Sequence, residues 1–271
     1  MGKIAVIMSV YRSDNIDALK LAIQSILEQT YEDVDLFIYR DGLLPNELEQ
    51  LLCSFEYDNK IVYIKNDINK GLAHALNSLI ENVISRDKYS YVARMDSDDI
   101  SYPERFEKQV SFLIKHKNVD VCGTSCREFG ASFALDEKHL PQEHDELFMF
   151  SITRCPFIHP SVMFKIGVFN DGMRYPIETS LTEDMALWLD LLEHNYIFAN
   201  LNEVLLDYRL NEQTISRRKG LSKAMSEISI RFKYMFKLNK VTFMNVILIL
   251  SRIVFHLLPS FFVKIAYKKF R

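Results

Sequence analysis

Within the first hundred residues two kinds of apolar segment alternate, and that alternation restricts the fold more than any other feature of the chain. KIAVIMSVY (3–11), VDLFIYRDG (34–42), KIVYIKN (60–66) and YSYVARMD (89–96) are short runs rich in β-branched and aromatic residues. Between them NIDALKLAIQSILEQT (15–30), PNELEQLLCSFE (45–56) and GLAHALNSLIENVI (71–84) repeat their apolar residues at helical spacing. Asp14 or Asn15 is in place to cap the first helix, and Pro45 opens the second. Neighbouring strands joined through a helix run parallel, so the segments predict a doubly wound α/β sheet. Ligands bind such sheets outside the carboxyl ends of the strands. Polar residues gather at those ends: Ser9 and Tyr11 after the first strand, Arg40 and Asp41 after the second, Asn66 and Asp67 after the third, and Asp96, Asp98 and Asp99 after the fourth.

Three carboxylates within four residues repel one another and raise each other's pKa values, so a positive charge is expected beside them. Arg94, at the same strand end, is one source. A divalent cation is another, because Mg2+ and Mn2+ take oxygen ligands and bridge to phosphates through one or two carboxylates. Residues i and i+2 of an extended segment share a face, so Asp96 and Asp98 can both turn to one nucleotide. The other reading of ARMDSDDISYPERF is an Asp-rich turn in which Asp99 caps a helix that Pro103 helps to start. Two other phosphate-binding devices are missing: no GxGxxG follows the first strand and no GxxxxGK[ST] occurs.

The 271 residues are 48% hydrophobic and 25% charged, enough for one large domain or one domain with an appendage. Four scattered cysteines lack zinc-site spacing and read as thiols in a reducing compartment. MGKIAVIMSVY turns polar too soon for a signal peptide, which points to the cytoplasm. Charge is divided unevenly. Residues 217–271 carry thirteen Lys or Arg against the single acid Glu227, a balance of +12, so the net −3 of the chain leaves −15 on residues 1–216. A basic tail meets an anionic partner, and its apolar content selects membrane over nucleic acid. VTFMNVILILSRIVFHLLPSFFV (241–263) approaches the length of a span but is interrupted by Arg252, His256 and Pro259. A central Arg costs about 2.5–3.5 kcal/mol on insertion scales. The segment is therefore expected to lie on a bilayer surface, the alternatives being a span, a core helix or an oligomer interface.

Taken together, the motifs resemble the nucleotide-sugar-dependent glycosyltransferases of family 2, with the GT-A fold. The likeness runs from about Lys3 to about Ser216. IAVIMSVYR is similar to the opening strand that frames the nucleobase, which brings in Ser9 and Tyr11. YRDG resembles the second-strand motif whose Asp contacts uracil, here Asp41. NKGLAHALN (69–77) is similar to the turn and helix near the donor, with Lys70 and Gly71. RMDSDD resembles the family's D-x-D, CPFIHPSVMF (155–164) the lining of the sugar cleft, TEDMALWLDLL (182–192) the helix bearing the catalytic base, and LLDYRLNEQTIS (205–216) the closing strand and loop.

The resemblance implies a catalytic domain over 1–216, divided near residue 100 into nucleotide-binding and acceptor-binding halves, with a membrane-associating region over 217–271. It implies inverting transfer of one sugar from a UDP-sugar to a polyprenyl-diphosphate-linked saccharide in bacterial O-antigen, capsule or exopolysaccharide synthesis, at the cytoplasmic face of the inner membrane. Asp98 would hold Mn2+ or Mg2+ against the diphosphate. Asp96 would bond the ribose or support the metal, and Arg94 would offset the carboxylates. Asp184, near a helix N-terminus that favours its ionised form, would be the general base, with Glu183 as rival. His159 would meet donor or acceptor sugar or be structural, Trp188 would stack on a sugar or, one turn after Asp184 on an amphipathic helix, belong to the core, and Arg217, Arg218 and Lys219 would meet diphosphate or lipid headgroups. The chain lacks the Q-x-x-R-W of processive synthases, and Asn211 stands where many relatives carry His. A nucleotidyltransferase would need a Gly-rich basic loop that SVYRSDN does not provide. A non-catalytic sugar- or lipid-binding subunit could dispense with Asp98 and Asp184, and both are present.

Overall fold

The computed structural model describes residues 2–179, 181–212 and 220–257. The alternation is realised as β1 (Lys3–Val10), α1 (Ile16–Leu27), β2 (Val34–Asp41), α2 (Asn46–Ser54), β3 (Ile61–Asn66), α3 (Leu72–Ile84) and β4 (Tyr89–Arg94). Of the two capping residues expected for α1, Asn15 does the work: its side chain accepts from the Ala18 N–H at 2.9 Å. Successive residues of β1 face opposite sides of the sheet. Ile4, Val6 and Met8 pack with Leu19, Ala22 and Ile23 of α1, whereas Ala5 and Ile7 pack with Ala75, Leu76, Leu79 and Ile80 of α3. A strand buried on both faces has no place for a polar residue, hence the unbroken IAVIM.

The rest of the chain extends the sheet and reverses it twice. The further elements are β5 (Ile100–Ser101), α4 (Arg105–Lys115), β6 (Val121–Phe129), α5 (His144–Ser151), β7 (Met163–Lys165), α6 (Gly167–Asn170), α7 (Glu183–Glu193), β8 (Phe198–Arg209), α8 (Leu221–Lys237) and α9 (Phe243–Leu257). Among the described residues the strand order is β3-β2-β1-β4-β7-β6-β8-β5. The first four strands are mutually parallel, β7 is antiparallel to both neighbours, β8 is parallel to β6, and β5 pairs antiparallel with β8. The result is the mixed, mainly parallel α/β sheet that the sequence predicted.

The last two helices are fastened to this sheet domain. Ile228 and Met235 of α8 share a buried cluster with Ile152 and with Ile249 of α9. Arg231, 1% exposed, donates to the carbonyls of Ser151 and Ile152 at 3.0 Å each, and Arg252 donates to that of Thr153 at 2.8 Å. Two guanidiniums thus satisfy the carbonyls that α5 leaves open at its C-terminus. Tyr234 donates to Asp190 at 3.0 Å and Lys237 pairs with Glu193 at 2.7 Å, which binds α8 to α7. The outward side of α9 is apolar: Phe243 is 83% exposed, and Met244, Ile247 and Leu248 follow on it. No helix among the described residues is long and apolar enough to cross a membrane. Arg217 to Lys219, residues 213–216 and Pro259 lie outside the described residues.

Candidate active site

The end of β4 gathers the charge. Arg94 is 1% exposed; its Nη2 pairs with Asp96 at 2.5 Å, and its Nη1 donates to the Met95 carbonyl. Arg209, the last residue of β8, pins the turn that follows. Its N–H donates to Asp99 Oδ1 and its Nε to the Asp98 carbonyl, both at 2.7 Å, with the guanidinium over the Phe129 ring. Asp99 is fully buried, its Oδ2 has no partner, and burial together with the charges of Asp96 and Asp98 holds its carboxyl well above the usual range. Neither Asp99 nor Glu104, at the N-terminus of α4, caps that helix through its side chain. Beneath the turn lies Arg105, also fully buried, which donates to the Arg94 carbonyl at 3.0 Å and to Gln109 at 3.1 Å; burial lowers its pKa to about 9. Gln109 in turn donates to the Ser161 carbonyl at 2.9 Å. This pair of α4 residues therefore joins the carboxylate turn to the segment that carries His159.

Asp14 is a fourth carboxylate here, and it lies 82 residues before Asp96 in the chain. It accepts from the Tyr11 N–H at 3.1 Å and bonds to Ser97. Burial, reinforced by Asp98 and Asp96, pushes its pKa up to about 7. The sign of the consequence is fixed: a carboxyl raised in the folded state stabilises the fold below its ordinary value of 3.8 and loses that contribution as pH rises through about 7. Water reaches this half-buried side chain and screens part of the cost, leaving about 1 kcal/mol. Asp14→Asn keeps an acceptor for Tyr11 and removes the charge. It is expected to raise Tm by about 2–4 °C at pH 8 and to leave it unchanged at pH 4, as a thermal melt at both values reads directly.

The donor set fits a hard divalent cation. Asp96 and Asp98 offer oxygens in a place where four carboxylates face the paired Arg94. Among the described residues no three ligands converge into a closed cage. A Mg2+ or Mn2+ site completed by substrate oxygens has this form.

Ser9 is half-buried and Tyr11 is 39% exposed at the end of β1, beside this turn. At the end of β2, Asp41 is 4% exposed. Its two carboxylate oxygens accept from the backbone N–H groups of Lys70 and Gly71, at 2.7 and 2.9 Å. Asp41 therefore fixes the entry to α3, at whose N-terminus Gly71 adopts φ +89, a left-handed conformation that favours glycine. The Lys70 side chain is exposed above it. Gly42 carries the turn out of β2 at φ +93, where a larger residue would be strained and its Cβ would lie 3.0 Å from the Asn69 backbone.

On the other side, His159 opens a short 3-10 turn ending at Ser161. Its Nδ1 lies 2.9 Å from Asp184 Oδ2 and its Nε2 lies 3.3 Å from the Tyr175 hydroxyl. Asp184 occupies the first turn of α7, is 31% exposed in its side chain, and keeps Oδ1 buried without a partner. Adjacent Glu183 has its pKa raised by burial first and by the charge of Asp184 second. Tyr175 is 1% exposed and feels the charges of Arg94 and Asp96 as well as those of Asp184 and Glu183, so both acidic groups lie within electrostatic reach of it. Its pKa is driven far up by burial, so the phenol keeps its proton.

One expectation is corrected. Trp188 does not face a sugar: it is 1% exposed and enclosed by Phe157, Phe164, Phe198 and the edge of His159. Its position one turn after Asp184 points it into the core, where its apolar area finds partners from the CPFIHPSVMF stretch and from β8. Asp14, Arg209 and Tyr175 are the site residues that the sequence did not single out. Arg209 lies inside the quoted LLDYRL, but nothing local ties it to a turn 111 residues earlier.

The fold thus carries a carboxylate cluster at the end of β4 and a histidine-held aspartate at the start of α7. The sequence profile described as glycosyl transferase family 2 matches residues 5–177. The chain belongs to that family and is a glycosyltransferase. It is 32% identical over 275 residues to the Escherichia coli UDP-Gal:alpha-D-GlcNAc-diphosphoundecaprenol beta-1,3-galactosyltransferase, covering 98% of this chain and 96% of that one. It is 33% identical over 239 residues to an uncharacterized glycosyltransferase of Haemophilus influenzae, covering 87% and 86%. It is 28% identical to the amylovoran biosynthesis glycosyltransferase AmsE of Erwinia amylovora, covering 98% of each. Two solved structures share the GT-A fold. S. aureus TarS 1–349 in complex with UDP-GlcNAc matches at TM-score 0.62 and 14% identity, covering 98% of this chain and 70% of that one. The mannosyltransferase PcManGT of Pyrobaculum calidifontis, in complex with GDP-Man and Mn2+, matches at TM-score 0.62 and 12% identity, covering 98% and 72%. The chain spans 44% of a longer TarS structure.

Proposed function

We propose that this protein transfers a single sugar, with inversion, from a UDP-sugar to a hydroxyl of a lipid-diphosphate-linked saccharide in bacterial O-antigen or exopolysaccharide assembly. The observation that carries the reading is the pair of acidic groups that both act on Tyr175: carboxylates at the end of β4, and Asp184 held by His159. Asp98 is the residue that would hold the divalent ion, which when bound supplies neutralising charge to the leaving diphosphate. Asp96, kept in place by Arg94, faces the ribose. Asp184 takes the proton of the acceptor hydroxyl as its oxygen forms the new bond to the sugar C1. The bond from C1 to the diphosphate breaks with its electron pair leaving on the nucleotide. A base opposite the leaving group enforces inversion. The sugar-diphospholipid named in the E. coli relative supports the choice of acceptor class.

The test is a product assay. Purified protein with Mn2+ is given UDP-galactose, UDP-glucose and their N-acetyl forms, each with a synthetic GlcNAc-diphospho-lipid. One of the four is expected to add a single hexose or N-acetylhexosamine mass. Transfer from a GDP- or dTDP-sugar alone would sink the donor class.

The same reading places α9 on the bilayer. Its outward side exposes Phe243, Met244, Ile247 and Leu248, with Lys233, Lys237 and Lys240 on the adjoining part of α8 and its exit, which suits an anionic interface. Removing residues after Lys240 is expected to move the protein from the membrane to the soluble fraction. Because that cut also uncovers the cluster around Ile249, the paired change Phe243→Glu and Ile247→Glu is the cleaner variant, and its continued sedimentation with membranes would rule the face out.

A further inference from the structure

The geometry points to a hydrogen-bonded chain, Tyr175 to His159 to Asp184, that positions the base, with Asn77 as its anchor; this rests on reading Asp184 as the base. Nothing in the resemblance assigns Tyr175 or Asn77, and His159 was expected to touch sugar.

The chain has one direction. The Asp184 carboxylate only accepts, so His159 donates to it from Nδ1, and Nε2 of the neutral ring is left to accept the Tyr175 O–H across 3.3 Å. The Nδ1–H bond to Asp184 Oδ2 spans 2.9 Å. Each link selects the state of the next: the carboxylate sets the tautomer, and the tautomer gives the phenol an acceptor. The far end is fixed by the backbone. Asn77 of α3 grips Tyr175 from both sides, accepting from its N–H at 2.9 Å and donating to its carbonyl at 2.8 Å. The imidazole has little freedom: its side chain is 12% exposed, and Tyr175 and Trp188 meet it edge to face with ring centroids 5.9 and 6.0 Å away. Trp188 thereby acquires a task as the wall against which His159 leans.

The consequence lies in Asp184. Its Oδ1 is buried without a partner, and Oδ2 takes the bond from His159. An N–H directed at the carboxylate favours its ionised form, the form that can accept a proton from the acceptor hydroxyl, and holds the rotamer that presents it. The other charges facing this place are Glu183 beside it on α7, Arg94 and Asp96 at the end of β4, and Lys223 of α8, which reaches Glu183 electrostatically. Loss of the His159 bond leaves Asp184 beside Glu183 with less support for its own charge.

His159→Ala, His159→Asn, Tyr175→Phe and Asp184→Asn are compared with the wild type, using the donor and acceptor that give product in the assay above. Calorimetric UDP binding with Mn2+ and a thermal melt check the fold of each. Asn places an amide N–H where Nδ1 stood. His159→Ala is expected to lower kcat roughly 10- to 100-fold, with KM for the donor and UDP affinity within about twofold. The acid limb of its rate-against-pH profile should move up by about half to one pH unit, because the carboxylate loses a donor. His159→Asn should recover most of the rate. Tyr175→Phe should lower kcat about 3- to 10-fold, move the limb in the same direction, and add nothing in the His159→Ala background. An acid limb unmoved in both His159→Ala and Tyr175→Phe overturns the chain, as does full activity in either. If His159→Ala does not fold, Tyr175→Phe, which loses one hydroxyl, decides alone. Asp184→Asn separates the two readings: activity retained there defeats the assignment of the base, whereas activity lost there with His159→Ala unimpaired defeats only the chain.

Discussion

Asp184→Asn is expected to lower kcat by about 10³-fold or more, while UDP still binds and the protein still melts cooperatively. General-base catalysis accounts for about 10²–10⁴-fold, and the amide cannot take a proton from the acceptor. The substitution is nearly isosteric, and its oxygen can still accept from His159, so the first turn of α7 and the Trp188 cluster beneath it remain packed. Glu183 is the natural control. It is adjacent and half-buried, its pKa is raised by burial first and by Asp184 second, and the contact with His159 is made by Asp184. Glu183→Gln is expected to cost less than tenfold. The comparison of initial rates for the two variants at saturating donor decides which acid is the base, and a larger loss at Glu183 reverses the assignment.

Asp98→Asn is expected to abolish the gain in UDP affinity that Mn2+ confers, a weakening of about 10- to 100-fold, or roughly 1.4–2.8 kcal/mol. The wild type should bind UDP tightly with Mn2+ and poorly after chelation. The mutant should bind poorly in both conditions. The argument is electrostatic: Asp14, Asp96, Asp98 and Asp99 share one strand end with Arg94, and a nucleoside diphosphate adds more negative charge to that place. Without a cation the diphosphate has little reason to bind there. Isothermal calorimetry with and without Mn2+ reads the effect, and an undiminished metal response in Asp98→Asn would place the ion elsewhere.

Much of this was legible in the chain. The first four strands and three helices announced themselves because both faces of the sheet are covered, and β1 has apolar neighbours above and below with no exposed position to blur the pattern. The D-x-D and the E-D at the start of α7 stood out through the other motifs in order around them, because an acidic pair at a helix N-terminus alone has a common structural use. What stayed hidden is what the fold brings together from far apart. Asp14 read as a helix cap, since its approach to Asp96 depends on two strands lying side by side. Arg209 read as one residue of a closing strand, and its hold on the D-x-D turn exists only because β8 ends there. Trp188 was misplaced because the spacing from Asp184 gives a helical turn but not which side of α7 is covered. Phe157 and Phe164, which cover it, come from the CPFIHPSVMF stretch, and Phe198 comes from β8. Tyr175 follows the small helix α6 with no pattern around it, and its position is set by a side chain on α3.

The fastening of α8 bears on the acceptor. Arg231 and Arg252 hold the final helices to the end of α5, while Tyr234 and Lys237 hold them to α7, the helix that begins with Glu183 and Asp184. A protein resting on a bilayer through α9 would thus be mounted on a stiff bracket, its base at one height and one tilt above the lipid plane. A sugar tethered to a lipid diphosphate has a reach set by how many residues separate it from that plane. Such an enzyme measures its acceptor as well as recognising it: a glycan one sugar too short or too long would carry the right hydroxyl to the wrong altitude.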